Sequence, residues 1–380
     1  MMARRGAPVV VACMLAFQAC AAARHLAPAA PAPPAPPDEI DVTLFLIGDA
    51  GAPAPPPRSE PVLAALRAAV ATSPSPVIVY LGDNLYPRGL PDSTAAGRRE
   101  AERRLDEQLR VTRETGVRTF FVPGNHDWRN GPAGVRRQAA FIRAGGGERA
   151  TLLPANGCPG PAMVDLGTTV RLIALDTQWW LQKDARPTSP SDCGDSSSHQ
   201  ILGSLGNAAR DAGERVVVVV AHHPLRTGGP HGGHFGWEDH VFPLRAIKPW
   251  LVIPLPLIGS LYPVLRASGI SSQDVASRAY RRMRASFDSA LAPARPLVYA
   301  SGHEHDLQVI AGTSTRWLLV SGAGIYGHVS HTTALDSTRF ARKASGFMRI
   351  DVLRDRRARL AVDLVNADGS GTEAYSLWLQ

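Results

Sequence analysis

Cysteine is scarce in this chain, no apolar run is long enough to cross a membrane, and no segment repeats. Only four cysteines occur in 380 residues. Cys13 and Cys20 lie near the start, which leaves Cys158 and Cys193 in Gly/Pro/Ser-rich surroundings. Neither falls in any of the polar motifs described below, so thiolate ligation is not expected. In an exported protein the pair would most simply form one disulfide, with two free buried thiols as the alternative. There is no nucleic-acid module, no stripe of interleaved aromatic and basic residues, no coiled-coil heptad and no internal repeat. No nucleic-acid partner is expected, and the oligomeric state is left open.

What is present begins with charge. The formal net charge is +8, carried almost entirely by arginine, which suits anionic substrates or an anionic lipid surface. Arg4 and Arg5 precede an apolar stretch from Val9 to Phe17, too short to span a bilayer, and Ala19 precedes Cys20. This pattern predicts a signal peptide over 1–19. Cys20 and its small neighbours resemble a bacterial lipoprotein cleavage site, with Cys20 as the lipidated first residue; a non-lipidated signal is the alternative. Ala27 to Pro37 alternates alanine and proline, a stiff tether within 20–38. Residues 39–380 then form one catalytic domain, large enough for a sizeable core. The expected location is outside the cytoplasm, facing the periplasm or the cell surface.

Five polar blocks in series carry the chemistry: Gly-Asp-Ala-Gly at 48–51, Gly-Asp-Asn-Leu-Tyr at 82–86, Gly-Asn-His-Asp at 124–127, Val-Val-Ala-His at 219–222 and Gly-His-Glu-His at 302–305. A β-branched or apolar run stands before each (Val42 to Ile47, Pro76 to Leu81, Arg118 to Val122, Val216 to Ala221, Pro296 to Ser301), as buried strands require. Loops at the carboxyl ends of strands converge on one edge of an α/β sheet, so residues far apart in sequence can meet there. One Gly-Asp or Gly-His pair is ordinary turn chemistry. Five in order, mixing carboxylate, phenol, amide and imidazole, point to a two-metal hydrolytic centre.

The order of these blocks resembles the calcineurin-like metallophosphoesterases, and Tyr86, three residues after Asp83, narrows the resemblance to the purple acid phosphatases of the small, tartrate-resistant type. Three further expectations follow from it. The fold would be a four-layer α/β sandwich of two mixed β-sheets flanked by helices. One metal would take Asp49, Tyr86 and His305, the other Asn125, His222 and His303, with Asp83 bridging. Carboxylate and phenolate oxygens favour Fe(III) on the first side, and the amide and imidazoles suit Fe(II), Zn or Mn on the second. A tyrosine after a strand also commonly packs its ring and exposes its hydroxyl, which is the plainer reading of Tyr86.

The activity implied is hydrolysis of phosphate monoesters by a hydroxide generated at the dinuclear centre. The competing readings are a phosphodiesterase or pyrophosphatase acting on nucleotides or lipid headgroups, and a non-catalytic scaffold lipoprotein on a phosphatase fold. His126 is the expected transition-state or leaving-group residue, with Asp127 orienting its ring. His231 and His234, in a Gly-rich loop, are candidate phosphate contacts. His223 is expected to pack or support, and His328 and His331 to lie on the surface or rim.

Helical patterns at Glu60 to Ala71, Ala95 to Thr112, Gly134 to Arg143, Gln200 to Asp211 and Ser272 to Leu291 alternate with the strands, and Gly346 to Leu353 with Ala358 to Val365 reads as an antiparallel pair. The chain departs from the family at about 235–288, an apparent insertion. Within it, 249–265 is strongly apolar yet broken by Pro254, Pro256 and Pro263, which exclude a regular membrane helix. The expectation is a loop packed over the core. The alternative is an interfacial flap that touches a membrane, with Trp250 and Tyr262 at headgroup level.

Overall fold

All five runs that precede the polar blocks form strands, and the polar residues of each block follow directly after its strand. The computed structural model describes residues 30–182, 186–187, 193–194, 197–246, 250–256 and 258–380. The expected signal, Cys20 and the first part of the tether therefore lie outside the described residues.

In the first sheet β1 (Ile40–Ile47), β2 (Pro76–Tyr80), β3 (Arg118–Phe121) and β4 (Ala150–Leu152) run parallel. In the second, β5 (Ala162–Leu166), β6 (Val170–Ala174), β7 (Val216–Val220), β8 (Val298–Ser301), β9 (Leu307–Ala311), β10 (Trp317–Ser321) and β11 (Thr338–Arg342) follow the spatial order β11-β9-β10-β8-β7-β6-β5. The chain then returns to the first sheet through β12 (Gly346–Leu353), β13 (Ala358–Val365) and β14 (Gly371–Trp378), which add antiparallel beyond β1 to complete the order β14-β13-β12-β1-β2-β3-β4.

The alternation of side chains along β1 shows how the layers are made. Val42, Leu44 and Leu46 point between the sheets, where they meet Val218, Ala300 and Leu319 of the second sheet. Phe45 and Ile47 point the other way. That outer face is covered by α1 (Pro61–Thr72), α2 (Arg98–Thr115) and α3 (Gly131–Gly146), through Leu66, Leu105 and Ile142. Beyond the short α4 (Gln178–Leu181), the outer face of the second sheet is covered by α5 (Ser198–Arg210) and by α8 (Arg278–Leu291), through Leu205 and Phe287. The result is two mixed seven-stranded sheets between helices, the sandwich expected from the sequence. Cys158 and Cys193 form a disulfide, with Cα atoms 5.5 Å apart.

The insertion requires two corrections. The helix read as starting at Ser272 starts at Arg278, and it buries Tyr280, Met283, Phe287 and Leu291. It therefore belongs to the sandwich, and the additional segment ends before it. That segment holds α6 (Trp237–Val241) and α7 (Leu261–Ala267). Contrary to the loop expected to pack over the core, none of the large apolar side chains described between Trp237 and Ile270 enters a hydrophobic cluster; only Val275, next to α8, packs against one. The segment's prolines prevent the long helix or strand that could present a continuous apolar face to a sheet.

Glu60, at the start of α1, ties the loops together at the carboxyl edge. Its carboxylate accepts from the N–H of Val62 in its own helix, of Ala54, and of Tyr326 in the loop that follows β10. Glu60→Ala removes a helix cap and leaves buried donors unpaired, so the unfolding free energy should fall by about 1–2 kcal/mol in denaturant titration.

Candidate metal centre

The polar blocks leave the two sheets at facing edges, and all seven expected ligands meet in the crevice between them. Asp49 follows β1, Asp83 and Tyr86 follow β2, and Asn125 follows β3; His222 follows β7, and His303 and His305 follow β8. The approach is close enough to demand glycine. A Cβ on Gly124 would lie 2.3 Å from Asp83, and one on Gly302 would lie 2.5 Å from Asp49 Oδ2. Asp49, Asp83 and His303 themselves have φ of 58°, 51° and 72°. Left-handed backbone at non-glycine residues costs on the order of 1–3 kcal/mol each and clusters at functional sites.

The donor atoms form two triangles. In one, Tyr86 Oη lies 2.8 Å from Asp49 Oδ1 and 3.0 Å from His305 Nε2, which is 3.5 Å from Asp49 Oδ1. In the other, Asn125 Oδ1 lies 3.0 Å from His222 Nε2 and 3.1 Å from His303 Nδ1, and those nitrogens are 3.2 Å apart. Asp83 Oδ1 is 3.5 Å from His222 Nε2, and Asp49, Asp83 and His222 lie close enough together to share one cation. Atoms at about 2.1 Å from a common ion stand ~3.0–3.5 Å apart, which every edge fits except the shorter Tyr86–Asp49 hydrogen bond.

The second triangle also calls for a cation on chemical grounds. His222 Nδ1 meets the Leu81 carbonyl at 2.9 Å, and His303 Nε2 meets the Gln273 carbonyl at 3.1 Å. A carbonyl only accepts, so those nitrogens carry the protons. The lone pairs of His222 Nε2, His303 Nδ1 and Asn125 Oδ1 then face one another with no hydrogen between them. The first triangle differs, because the Tyr86 hydroxyl can donate to Asp49. Burial, then Asp49 and Asp83, pushes the Tyr86 phenol well above its usual range, so its ionisation requires a nearby cation. Burial likewise pushes Asp49 up to about 7, although His222 opposes it. On Asp83 burial is outweighed by His222 and His126, and its carboxyl is lowered.

Around the triangles the expectations divide. His126 Nδ1 meets the Pro87 carbonyl at 2.8 Å, and its Nε2 turns towards Asp83 Oδ2 at 3.9 Å. Asp127 does not orient that ring, contrary to the sequence reading. Its buried carboxylate accepts instead from the N–H groups of Gly124, Asn84 and Leu85 and from the amides of Asn84 and Gln138. A backbone acceptor at Pro87 was not readable from residue types. His231 lies over His303, with ring centroids 3.9 Å apart, and lines a cleft of about 710 Å³ that opens beside His303 and His305. His234 is absent from that lining. Both nitrogens of His223 are engaged, by Thr177 and Gln273, which suits support rather than ligation. His328 sits on the rim as expected, but its ring approaches that of His305 to 4.1 Å. Gln273, which contacts both His223 and His303, was not singled out in the sequence; its position offers no motif.

Because Asp127 ties the second and third blocks together, Asp127→Ala should lower stability by about 3 kcal/mol or more. Metal content measured on the folded fraction should fall with it, whereas His126→Ala should retain both.

No protein-family model matches this chain, and no curated protein does. Among solved structures it is similar to GAP50, the anchor in the inner membrane complex of Plasmodium, with a TM-score of 0.54 at 15% identity over 90% of this chain and 89% of that one. It is also similar to the purple acid phosphatase PPD1 from yellow lupin (Lupinus luteus) seeds, with a TM-score of 0.52 at 12% identity over 88% of this chain. That match spans only 53% of the phosphatase chain. At such identities the likeness is one of fold, and the fold is metallophosphoesterase-like.

Proposed function

We propose that this domain hydrolyses phosphate esters with two metal ions, and that it does so outside the cytoplasm. The observation that carries this reading is the pair of donor triangles with Asp83 between them. Asp49, Tyr86 and His305 would hold one ion, and Asn125, His222 and His303 the other. Two bound cations supply charge for the phosphoryl oxygens and lower the pKa of water to be used in attack. Phenol and carboxylate favour Fe(III) in the first position, and imidazole with amide suits Fe(II), Zn or Mn in the second.

The chain's own groups complete the chemistry. With Nδ1–H held by the Pro87 carbonyl, His126 presents Nε2 on the side of Asp83, where a protonated ring can hydrogen-bond a phosphoryl oxygen or donate to the leaving alkoxide. His231 Nδ1 lies 3.1 Å from Asp274 and 3.0 Å from Arg266 and bonds to one of them, according to its tautomer, which fixes the ring at the cleft for contact with the phosphate. His234, outside the cleft lining, is not part of this proposal. A phosphate monoester is the proposed substrate. The size of the cleft favours a bulky ester group, which keeps a diester as the second reading. Export is supported by the Cys158–Cys193 disulfide, since such bonds persist in oxidising compartments.

Metal analysis and a visible spectrum of the purified chain, beside Tyr86→Phe, test the centre. We expect about two metals per chain including iron, and a broad visible band that the variant loses. A colourless protein with two divalent ions would make Tyr86 a bystander and favour the diester reading. His126→Ala should lower turnover of a soluble phosphate monoester by about 10²–10⁴-fold, and activity equal to wild type would remove His126 from the mechanism. A cation must displace the proton that Asp49 carries below about 7. Metal affinity measured by competition with a chelator should therefore weaken as pH falls through that value, by roughly tenfold per pH unit per proton displaced.

A further inference from the structure

The segment from Trp237 to Ile270 is where this chain leaves its apolar side chains in water. Of eleven exposed large hydrophobic residues among those described, nine fall within it, from Trp237 at 69% exposure through Ile258 at 72% to Ile270 at 67%. Solitary exposed apolar residues are ordinary, but a concentration of this kind marks an interaction surface.

The segment is nevertheless built. Leu255 N–H donates to the Val241 carbonyl at 2.8 Å, Gly259 N–H donates to the Leu255 carbonyl at 2.7 Å, and His240 Nδ1 meets Ser260 Oγ at 3.1 Å. Helix α7 is amphipathic in the reverse of the usual sense. Its inner side is charged: Arg266 grips Asp274, which is 1% exposed, and donates to Tyr262 Oη at 2.8 Å. Its outer side is aliphatic, with Leu261, Val264 and Leu265 at i, i+3 and i+4, exposed by 57%, 58% and 40%. A soluble helix keeps its charge outside and its aliphatic stripe inside.

A basic helix start packs against the end of this segment. Gly269 packs so tightly on Ala276 and Ser277 that a Cβ would lie 2.4 Å from them, which places the end of the segment against the start of α8. There Arg278, Arg281 and Arg282 are exposed on one helical side, and none forms an ion pair with any described residue. The same segment forms one wall of the cleft beside the metal centre, through Trp237, Arg245 and Tyr262. Protruding aliphatic side chains, the exposed Trp237 and Trp250 of the same segment and the exposed arginines at the start of α8 match the chemistry of an anionic phospholipid interface.

We infer that this face docks on an anionic phospholipid surface and presents the cleft to phosphate-bearing lipid headgroups. The docking stands on the segment alone; the headgroup as substrate rests on the hydrolase reading above. The test uses the full exported chain carrying Cys20→Ser, so that no acyl chain contributes. Its tryptophan emission is followed with phosphatidylcholine vesicles, and with vesicles that also contain phosphatidylglycerol, both brominated in the acyl chains. Emission should be quenched by the anionic vesicles. Apparent partitioning should fall by roughly tenfold or more in Leu261→Asp/Val264→Asp, and should also fall in Arg281→Glu/Arg282→Glu. Both variants should hydrolyse a soluble phosphate monoester at the wild-type rate.

Absence of quenching in the wild type, or equal quenching in the variants, would overturn the docking. So would a dimer that dissociates in Leu261→Asp/Val264→Asp without any vesicle response, which would assign the face to a second copy of the chain. Quenching without hydrolysis of any ester would support the docking and sink the hydrolase reading. Hydrolysis of the soluble ester, with no gain on phosphatidate in vesicles, would overturn the headgroup assignment.

Discussion

Two carboxylates, three imidazoles, an amide and a phenol lie together where two β-sheets face each other, largely cut off from water. Burying such a set is costly unless its charges and lone pairs find partners. The lone pairs of His222 Nε2, His303 Nδ1 and Asn125 Oδ1 find none in the protein, because carbonyl acceptors have already claimed the opposite nitrogens of both rings. A cation would resolve that conflict. Much of the surrounding structure follows from holding the donors in place: facing carboxyl edges, glycines where backbones nearly touch, and left-handed backbone at three of the ligands.

The alignment of the two sheets is secured by direct bonds. Gly48 N–H donates to the Ser321 carbonyl at 2.7 Å, and Ser321 Oγ–H donates to the Leu46 carbonyl at 2.7 Å. These join β1 to β10 at the point where Asp49 leaves the sheet. Side-chain orientation is set largely by the backbone as well: the Leu81, Pro87 and Gln273 carbonyls fix His222, His126 and His303. Asp127 works the other way, with one carboxylate gathering the N–H groups of two loops. Strand ends and short loops thus supply the rigidity that holds these side chains in place.

The additional segment obeys different rules. Its prolines keep it from adding to either sheet or forming a long helix, so it folds on itself above the cleft. The partly buried Arg266–Asp274 pair fixes α7 with its aliphatic side outward and also holds His231 over His303. One ion pair therefore links the outer apolar surface to the wall of the site.

The sequence by itself determined the strands that precede the blocks, the five principal helices to within a few residues except at the start of α8, and the placing of donor residues directly after those strands; their division into two sets of three around Asp83 came from the resemblance of the blocks to a known family. The strands, helices and donor positions are local properties. Apolar periodicity, turn glycines and donor-bearing residues at strand ends are legible because each depends on near neighbours in the chain. Only the tertiary structure decided that Asp127 ties loops together instead of orienting His126, that His231 lines the cleft and His234 does not, and that Gln273 and His328 stand beside the ligands. It also decided that the apolar insertion faces water. Each of these outcomes depends on which carbonyl, ring or sheet edge arrives from elsewhere in the chain, and no residue's type encodes the neighbour that folding will bring to it.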